Sequence, residues 1–367
     1  MKKINKNKKV EKKITPLAVL IVLLTLSSCK NEVKDPVKKN VVKTVYASDV
    51  IPFFDNWKLI LGDGSNAGFA NNFENKDFFY TTKDANEDWV VFKSPNGGDT
   101  HGTSNNTRTE LAQAKKWYPK TANDKLTATL KVMNVSATGD ARVAASYSVV
   151  VGQIHSADKH ENEPLKIFYK KFPGHTKGSV FWHYEINTAG EDNSGRWDYS
   201  SAVWGHDFSV VGTDANTYPE EPEDGIALGE EFSYEIMVKD GIMSLTFTGK
   251  NHEIKTFTKN LIESEYTTKE DMPEQTRKLF VPIGQDGVER ENAYAGEGCF
   301  FKLGCYNQTN GKSPDVNKNW CSGAETHGGD IKKQYADGNY AEVWFKTASI
   351  TISDTSVSNE GYFTKND

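Results

Sequence analysis

Residues 300–308 read Phe300-Phe301-Lys302-Leu303-Gly304-Cys305-Tyr306-Asn307-Gln308. Phe301, Leu303 and Cys305 fall on one side of an alternation, and Lys302, Tyr306 and Gln308 on the other. A period of two is the repeat of a β-strand, whose successive side chains point to opposite faces. Two other segments are built alike. Arg108-Thr109-Glu110-Leu111 puts Arg108 and Glu110 on one face, and Gln153-Ile154-His155 does the same for Gln153 and His155. Leu111 and Ile154 turn to the apolar side. A cation, an amide, an imidazole and a phenol on polar strand faces form a kit for removing a proton next to a carboxylate.

The rest of the chain repeats the pattern. Windows 126–132, 147–154, 232–238, 243–247 and 344–352 alternate apolar and polar residues. Turn signals separate them: Asn96-Gly97-Gly98, Gly139-Asp140, Pro173-Gly174, Asp240-Gly241 and Asp286-Gly287. Only windows 260–266 and 273–279 suggest a turn or two of helix. Many short strands at this spacing predict an all-β fold, a sandwich or jelly roll. The stretch 191–229 reads as a long polar loop. No internal linker or fixed-period repeat interrupts residues 45–367, which read as one large β domain.

Three motifs in this order resemble the signatures of the alginate lyases of polysaccharide lyase family 7. Their usual forms are Arg-(Ser or Thr)-Glu-Leu-Arg, Gln-(Ile or Val)-His and Tyr-Phe-Lys-Ala-Gly-x-Tyr-x-Gln. The similarity extends through 165–185 and the strand near 341–352. Three residues depart from it: Ala112 stands where the first motif ends in Arg, Phe300 replaces the first Tyr of the third, and Leu303 its Ala. The resemblance implies a β-jelly roll, a concanavalin A-like sandwich, whose concave sheet forms an open substrate groove bordered by loops such as 191–229. It implies cleavage of the 1,4-glycosidic bond of alginate by β-elimination, leaving an unsaturated uronate at the new non-reducing end.

That chemistry assigns roles. The proton at C5 is weakly acidic because the neighbouring carboxylate is already negative. The site must neutralise that carboxylate, supply a base at C5 and supply an acid at O4. Arg108 offers a planar fork to a carboxylate, or forms a structural ion pair with Glu110. Gln153 donates an amide N–H to the carboxylate. His155 stabilises the carboxylate or, when neutral, accepts the C5 proton; Tyr306 protonates O4, and serves as base as well where both events fall on one face. The resemblance implies His155 as the base for guluronate and Tyr306 as the acid. Glu110 orients Arg108, and Glu110, Lys302, Asn307 and Gln308 are assigned to substrate binding. Trp182 and Tyr184 share a strand face suited either to stacking on sugars or to the core. Lys166 and Lys170 read as a solvated face. Ile154 in the second motif implies a preference for guluronate or mixed blocks.

The first 28 residues read differently. They hold seven Lys and one Glu, an apolar run at 14–26, and the ending Leu26-Ser27-Ser28-Cys29. This is the form of a bacterial lipoprotein signal peptide, with Cys29 lipidated and 29–44 as a flexible tether. The chain is expected at the outer membrane or cell surface, touching membrane only through that anchor. The whole chain carries −6, so residues 29–367 carry −12, which argues against a nucleic-acid partner. An alginate site on so acidic a protein must be a local basic, amide-rich patch.

Three cysteines remain: Cys299, Cys305 and Cys321. Cys299 and Cys305 lie on one strand, too far apart to bond at about 3.3 Å per residue. Cys305–Cys321 is the expected disulfide in an exported protein. The eight His form no metal-binding spacing, and the elimination requires neither metal nor cofactor. A monomer is expected. The competing readings are a non-catalytic polysaccharide-binding surface lipoprotein and a lyase for another polyuronate such as glucuronan.

Overall fold

The computed structural model describes residues 44–51, 54–101, 104–157, 163–186, 197–262 and 297–363. Residues 44–367 form one compact unit. The basic N-terminus, the apolar run, Cys29 and most of the tether lie outside the described residues, as do window 273–279 and Asp286-Gly287. Of window 260–266 only 260–262 are described, and Asn260 closes a strand.

Alternation becomes two sheets. The seven-stranded sheet runs Lys255–Asn260, Ile242–Gly249, Phe232–Lys239, Asn123–Asn134, Tyr340–Thr351, Glu87–Pro95, Phe79–Asp84. The nine-stranded sheet runs Trp197–Trp204, Lys177–Ile186, Leu165–Lys170, Ser148–Ser156, Cys299–Asn307, Arg108–Gln113, Trp57–Ile60, Asn66–Gly68, with Ile226–Ala227 attached to its second strand. Neighbours pair antiparallel. One turn signal, Asp240-Gly241, does what its chemistry dictates. Lys239 pairs with Ile242, and Asp240 and Gly241 between them have φ of 49° and 81°. Two positive φ values mark the hairpin turn whose twist matches its strands.

Between the sheets lies one core. Leu126, Leu130, Ile236, Leu245 and Val343 from one side meet Leu111, Val149, Val151, Ile154, Ile167, Phe301 and Leu303 from the other. Each such buried side chain contributes about 1.5–3 kcal/mol, which sets the register: a slip of one residue would turn the apolar set outward. Trp182 and Tyr184 belong to this core, so Phe181 and His183 face outward instead. The stretch 191–229 is not simply a loop. Trp197–Trp204 pairs with Lys177–Ile186, from Ile186↔Trp197 to Val180↔Trp204, and forms the sheet edge.

The expected disulfide is absent. Cys299, Cys305 and Cys321 are all buried, and no disulfide joins them. Cys305 points into the core between the sheets, whereas Cys321 lies outside that cluster. Burial raises the pKa of both thiols above the usual range, which keeps them protonated and unreactive.

Candidate active site on the outer face of the nine-stranded sheet

The three motifs occupy three adjacent strands. Cys299–Asn307 lies between Arg108–Gln113 and Ser148–Ser156. Tyr306 pairs with Arg108 and Lys302 with Ala112 on one side; Lys302 pairs with Gln153 and Phe300 with His155 on the other. Residues nearly 200 apart in sequence thus share one patch.

Two irregularities aim the side chains. Along Ser148–Ser156 the core residues are Val149 and Val151, then Ile154. The alternation switches across a register shift between Val150 and Gly152. That bulge brings Gln153 and His155 to the face shared by Val150, where bulges beside functional sites commonly redirect side chains. From the facing sheet the Tyr234 hydroxyl donates to Val151 O at 3.1 Å, bracing the bulge. A second shift lies between Leu303 and Tyr306. There Gly304 has φ of 146°, and a Cβ on it would sit 2.8 Å from Glu110 Cα and press on Thr109 O. Only glycine allows this approach.

Glu110 is the hub of the patch. Its side chain is fully buried, Lys302 Nζ lies 2.7 Å from Oε2 and Arg108 Nη1 3.5 Å from the same oxygen. Gln153 Nε2 donates to Oε1. Glu110 therefore positions three donors and is itself closed off from solvent. The Arg108 guanidinium lies on the Tyr306 ring, 3.8 Å from its centroid. Burial opposes the charge on Arg108, yet Tyr306, Glu110, Tyr362 and Glu163 together raise its pKa, and it stays cationic. The Tyr306 hydroxyl meets Ser104 Oγ at 3.1 Å.

His155 stands at the other end. Its Nδ1 is 2.6 Å from Ser156 O, so Nδ1 carries the proton and donates. Nε2 faces Glu163 at 3.6 Å. Burial lowers the pKa of His155 to about 4, against the opposing pull of Glu163 and with Lys302 and Arg108 adding to the depression. The imidazole is neutral at neutral pH, with its lone pair on Nε2. Glu163 also holds Lys166 Nζ at 3.3 Å.

Lys166 and Lys170 do not lie on a solvated face; they are 3% and 4% exposed. Lys166 Nζ lies 5.6 Å from the Trp320 ring, and Lys170 Nζ donates to Ala144 O at 2.8 Å. Burial lowers the Lys170 pKa to about 7. Asn307, expected among the sugar contacts, is fully buried and spends its amide elsewhere. Its Nδ2 reaches Pro95 O at 2.9 Å and Asn96 Oδ1 at 3.1 Å, and its Oδ1 accepts from Thr309 N. It clamps loops rather than facing the patch. Gln308 is also buried, with Nε2 3.4 Å from Tyr306 O.

Other residues join the patch without any motif to announce them. Besides Ser104, Glu163 and Tyr362, His101 is one: burial, then Arg108 and Lys302, lower its pKa to about 4. Trp320 and Phe208 pack at 4.8 Å over His183. Counting Arg108, Lys166 and Lys302 against Glu110 and Glu163, these ion-paired groups carry a net +1.

Residues 51–352 match the family model described as alginate lyase. The chain is 28% identical over 281 residues to an alginate lyase of Klebsiella pneumoniae, covering 67% of this chain and 76% of that protein. Among solved structures, the exolytic PL7 alginate lyase AlyA5 from Zobellia galactanivorans is 63% identical, with a TM-score of 0.76 over 84% of this chain and 98% of that one. The alginate lyase structure from Klebsiella pneumoniae aligns with a TM-score of 0.55 at 21% identity, over 82% and 96% of the two chains, a likeness of fold. The two-sheet sandwich is the jelly roll of these lyases.

Proposed function

The chain belongs to the alginate lyase family, a polysaccharide lyase that cleaves alginate, and from that premise we propose that Arg108, Gln153, His155 and Tyr306 carry the elimination. The uronate carboxylate pairs with the Arg108 fork and a Gln153 N–H, its charge offset by Lys302 behind them. The C5 proton passes to His155 Nε2, the C4–O bond breaks, the C4–C5 double bond forms, and Tyr306 protonates the leaving oxygen. Glu163 then faces the imidazolium. The observation that carries this reading is the single unit formed by Glu110, Arg108 and Tyr306, which holds carboxylate binder and proton donor together. Preorganised charge of this kind costs no rearrangement during the reaction.

Arg108 Nε and Gln153 Oε1 are buried without a hydrogen-bond partner among the described residues. Such groups cost about 1–3 kcal/mol each, and a polar ligand would satisfy them. The substrate groove runs across this outer face. Ile154 implies guluronate or mixed-block preference; its side chain lies in the core, so it acts through the placement of Gln153 and His155. The likeness to an exolytic lyase supports release of short products from a chain end. Lipidation at Cys29 and a surface location rest on the sequence of residues 1–29; Cys29→Ser should release the protein from the membrane fraction.

The test is ultraviolet absorbance of the purified protein with polyguluronate, polymannuronate and glucuronan, beside Tyr306→Phe. Elimination creates an absorbing unsaturated uronate; hydrolysis and binding do not. A rise with polyguluronate that the variant lacks is expected. Retained activity in Tyr306→Phe overturns the assignment of Tyr306, and a rise with glucuronan alone overturns the substrate.

A further inference from the structure

Residues 357–363 run back over the first-motif strand and are fastened at each step. Val357 and Ser358 pair with Lys116 and Lys115. Asn359 N donates to Ala114 O at 2.9 Å, and its Nδ2 to Gln113 O at 3.2 Å. Glu360 holds Lys58 Nζ at 2.6 Å, and the same Nζ lies 4.6 Å from the Phe363 ring centroid. These ties deliver the turn Glu360–Phe363 onto the outer face beside Ala112.

The small residue at 112 is what admits it. Phe363 is 5% exposed, in a cluster with Ala112, Ala157 and Phe300. Ala112 is already fully buried, so a longer side chain there would claim the volume that Phe363 and Tyr362 fill. Tyr362 then lands inside the catalytic patch. Its ring centroid is 4.6 Å from Phe300, 5.4 Å edge-on from His155 and 6.3 Å from His101. Lys302 Nζ is 5.9 Å away. Unlike Phe363 it stays partly exposed. A ring with an apolar face, a hydroxyl at its tip and only two side-chain torsions to freeze suits a sugar contact at low entropic cost.

We propose that Tyr362 is a substrate-positioning residue, and that 359–363 is a wall ending the substrate path on the His155 side, so that a uronate chain in the site extends one way only. This rests on the reading that the outer face takes the polymer. Ala112 and Tyr362 form a linked pair: the lost length at one position makes room for the wall at the other.

The experiment compares the purified protein with Tyr362→Ala, Tyr362→Phe and Phe363→Ala. It reads kcat and KM on a defined uronate oligomer, early product sizes on polymer, and calorimetric titration of a uronate trisaccharide. Tyr362→Ala is expected to raise KM about fivefold, the scale of one aromatic contact, with kcat within about twofold, and to lengthen early products. Tyr362→Phe should fall between, and Phe363→Ala should lengthen products by loosening the wall. Unchanged KM, product length and trisaccharide affinity in Tyr362→Ala overturn the proposal. If the parent protein releases no unsaturated uronate, the functional reading has failed, and the titration alone decides: weaker binding in Tyr362→Ala sustains the wall, equal binding removes it. If Tyr362→Ala does not fold, Tyr362→Phe decides by the same readings.

Discussion

The Arg108 guanidinium lies 3.8 Å from the centroid of the Tyr306 ring, and the two residues face each other in register on neighbouring strands. The ring carries a cation on its face while its hydroxyl meets Ser104. Removing the hydroxyl alone leaves the stacking in place. Tyr306→Phe should lower product release by about 10²–10⁴-fold, the range of a lost general acid. Its melting temperature should stay within about 2 °C, since less than a kilocalorie is at stake. A near-normal rate in a folded variant would remove Tyr306 from the chemistry.

Glu110 accepts from Gln153 and pairs with both Arg108 and Lys302 without solvent contact. Breaking a buried ion pair by removing one partner costs about 3–5 kcal/mol, because the other charge is left uncompensated. Glu110→Gln should therefore lower the urea midpoint strongly, and adding Lys302→Met should restore part of it, since the two positions are coupled. An unshifted midpoint in the single variant would mean that the hub holds nothing together.

The pH dependence follows from His155. Its pKa in the fold, about 4, lies below the ordinary 6.5, mainly through burial, and His101 is lowered to about 4 for the same first reason. A depressed imidazole means that the unfolded chain takes up protons before the fold does. The stabilisation is present above pH 6.5 and is lost as pH falls towards 4. Urea denaturation across this window should show declining stability, and His155→Gln should flatten the slope. The acid limb of kcat/KM should have its midpoint near about 4 rather than 6.5; a midpoint at 6.5 would contradict a buried neutral base.

No disulfide joins Cys299, Cys305 and Cys321. Reducing agent should then move the melting temperature by less than about 1 °C, whereas losing a native disulfide typically costs 2–5 kcal/mol. Thiol titration of the denatured, unreduced protein should count all three. Finding one would restore the Cys305–Cys321 bridge.

The alternation in 300–308, 108–111 and 153–155 determined strand identity and which side chains share a face, because the period of two is a local property of the extended backbone. Asp240-Gly241 likewise dictated its own turn. The order of the three motifs, read as a family signature, led to the jelly roll and to alginate cleavage. What the sequence left open were matters of long-range packing. Trp182 and Tyr184 faced one way by parity, but only the opposing sheet made that side the core. Lys166 and Lys170 looked solvated because the loops over them come from residues 144, 210 and 320. Asn307 sat in a motif, yet its amide was claimed by carbonyls at the end of the strand Glu87–Pro95, more than 200 residues away. Cys305 and Cys321 had permissive spacing and incompatible surroundings. Ser104, His101, Glu163 and Tyr362 carry no local pattern and reach the patch only once the chain closes on itself. Side-chain direction within a strand is set by neighbouring peptide units; which strand, loop or tail lies against it is set by burial, and that the tertiary structure alone decided.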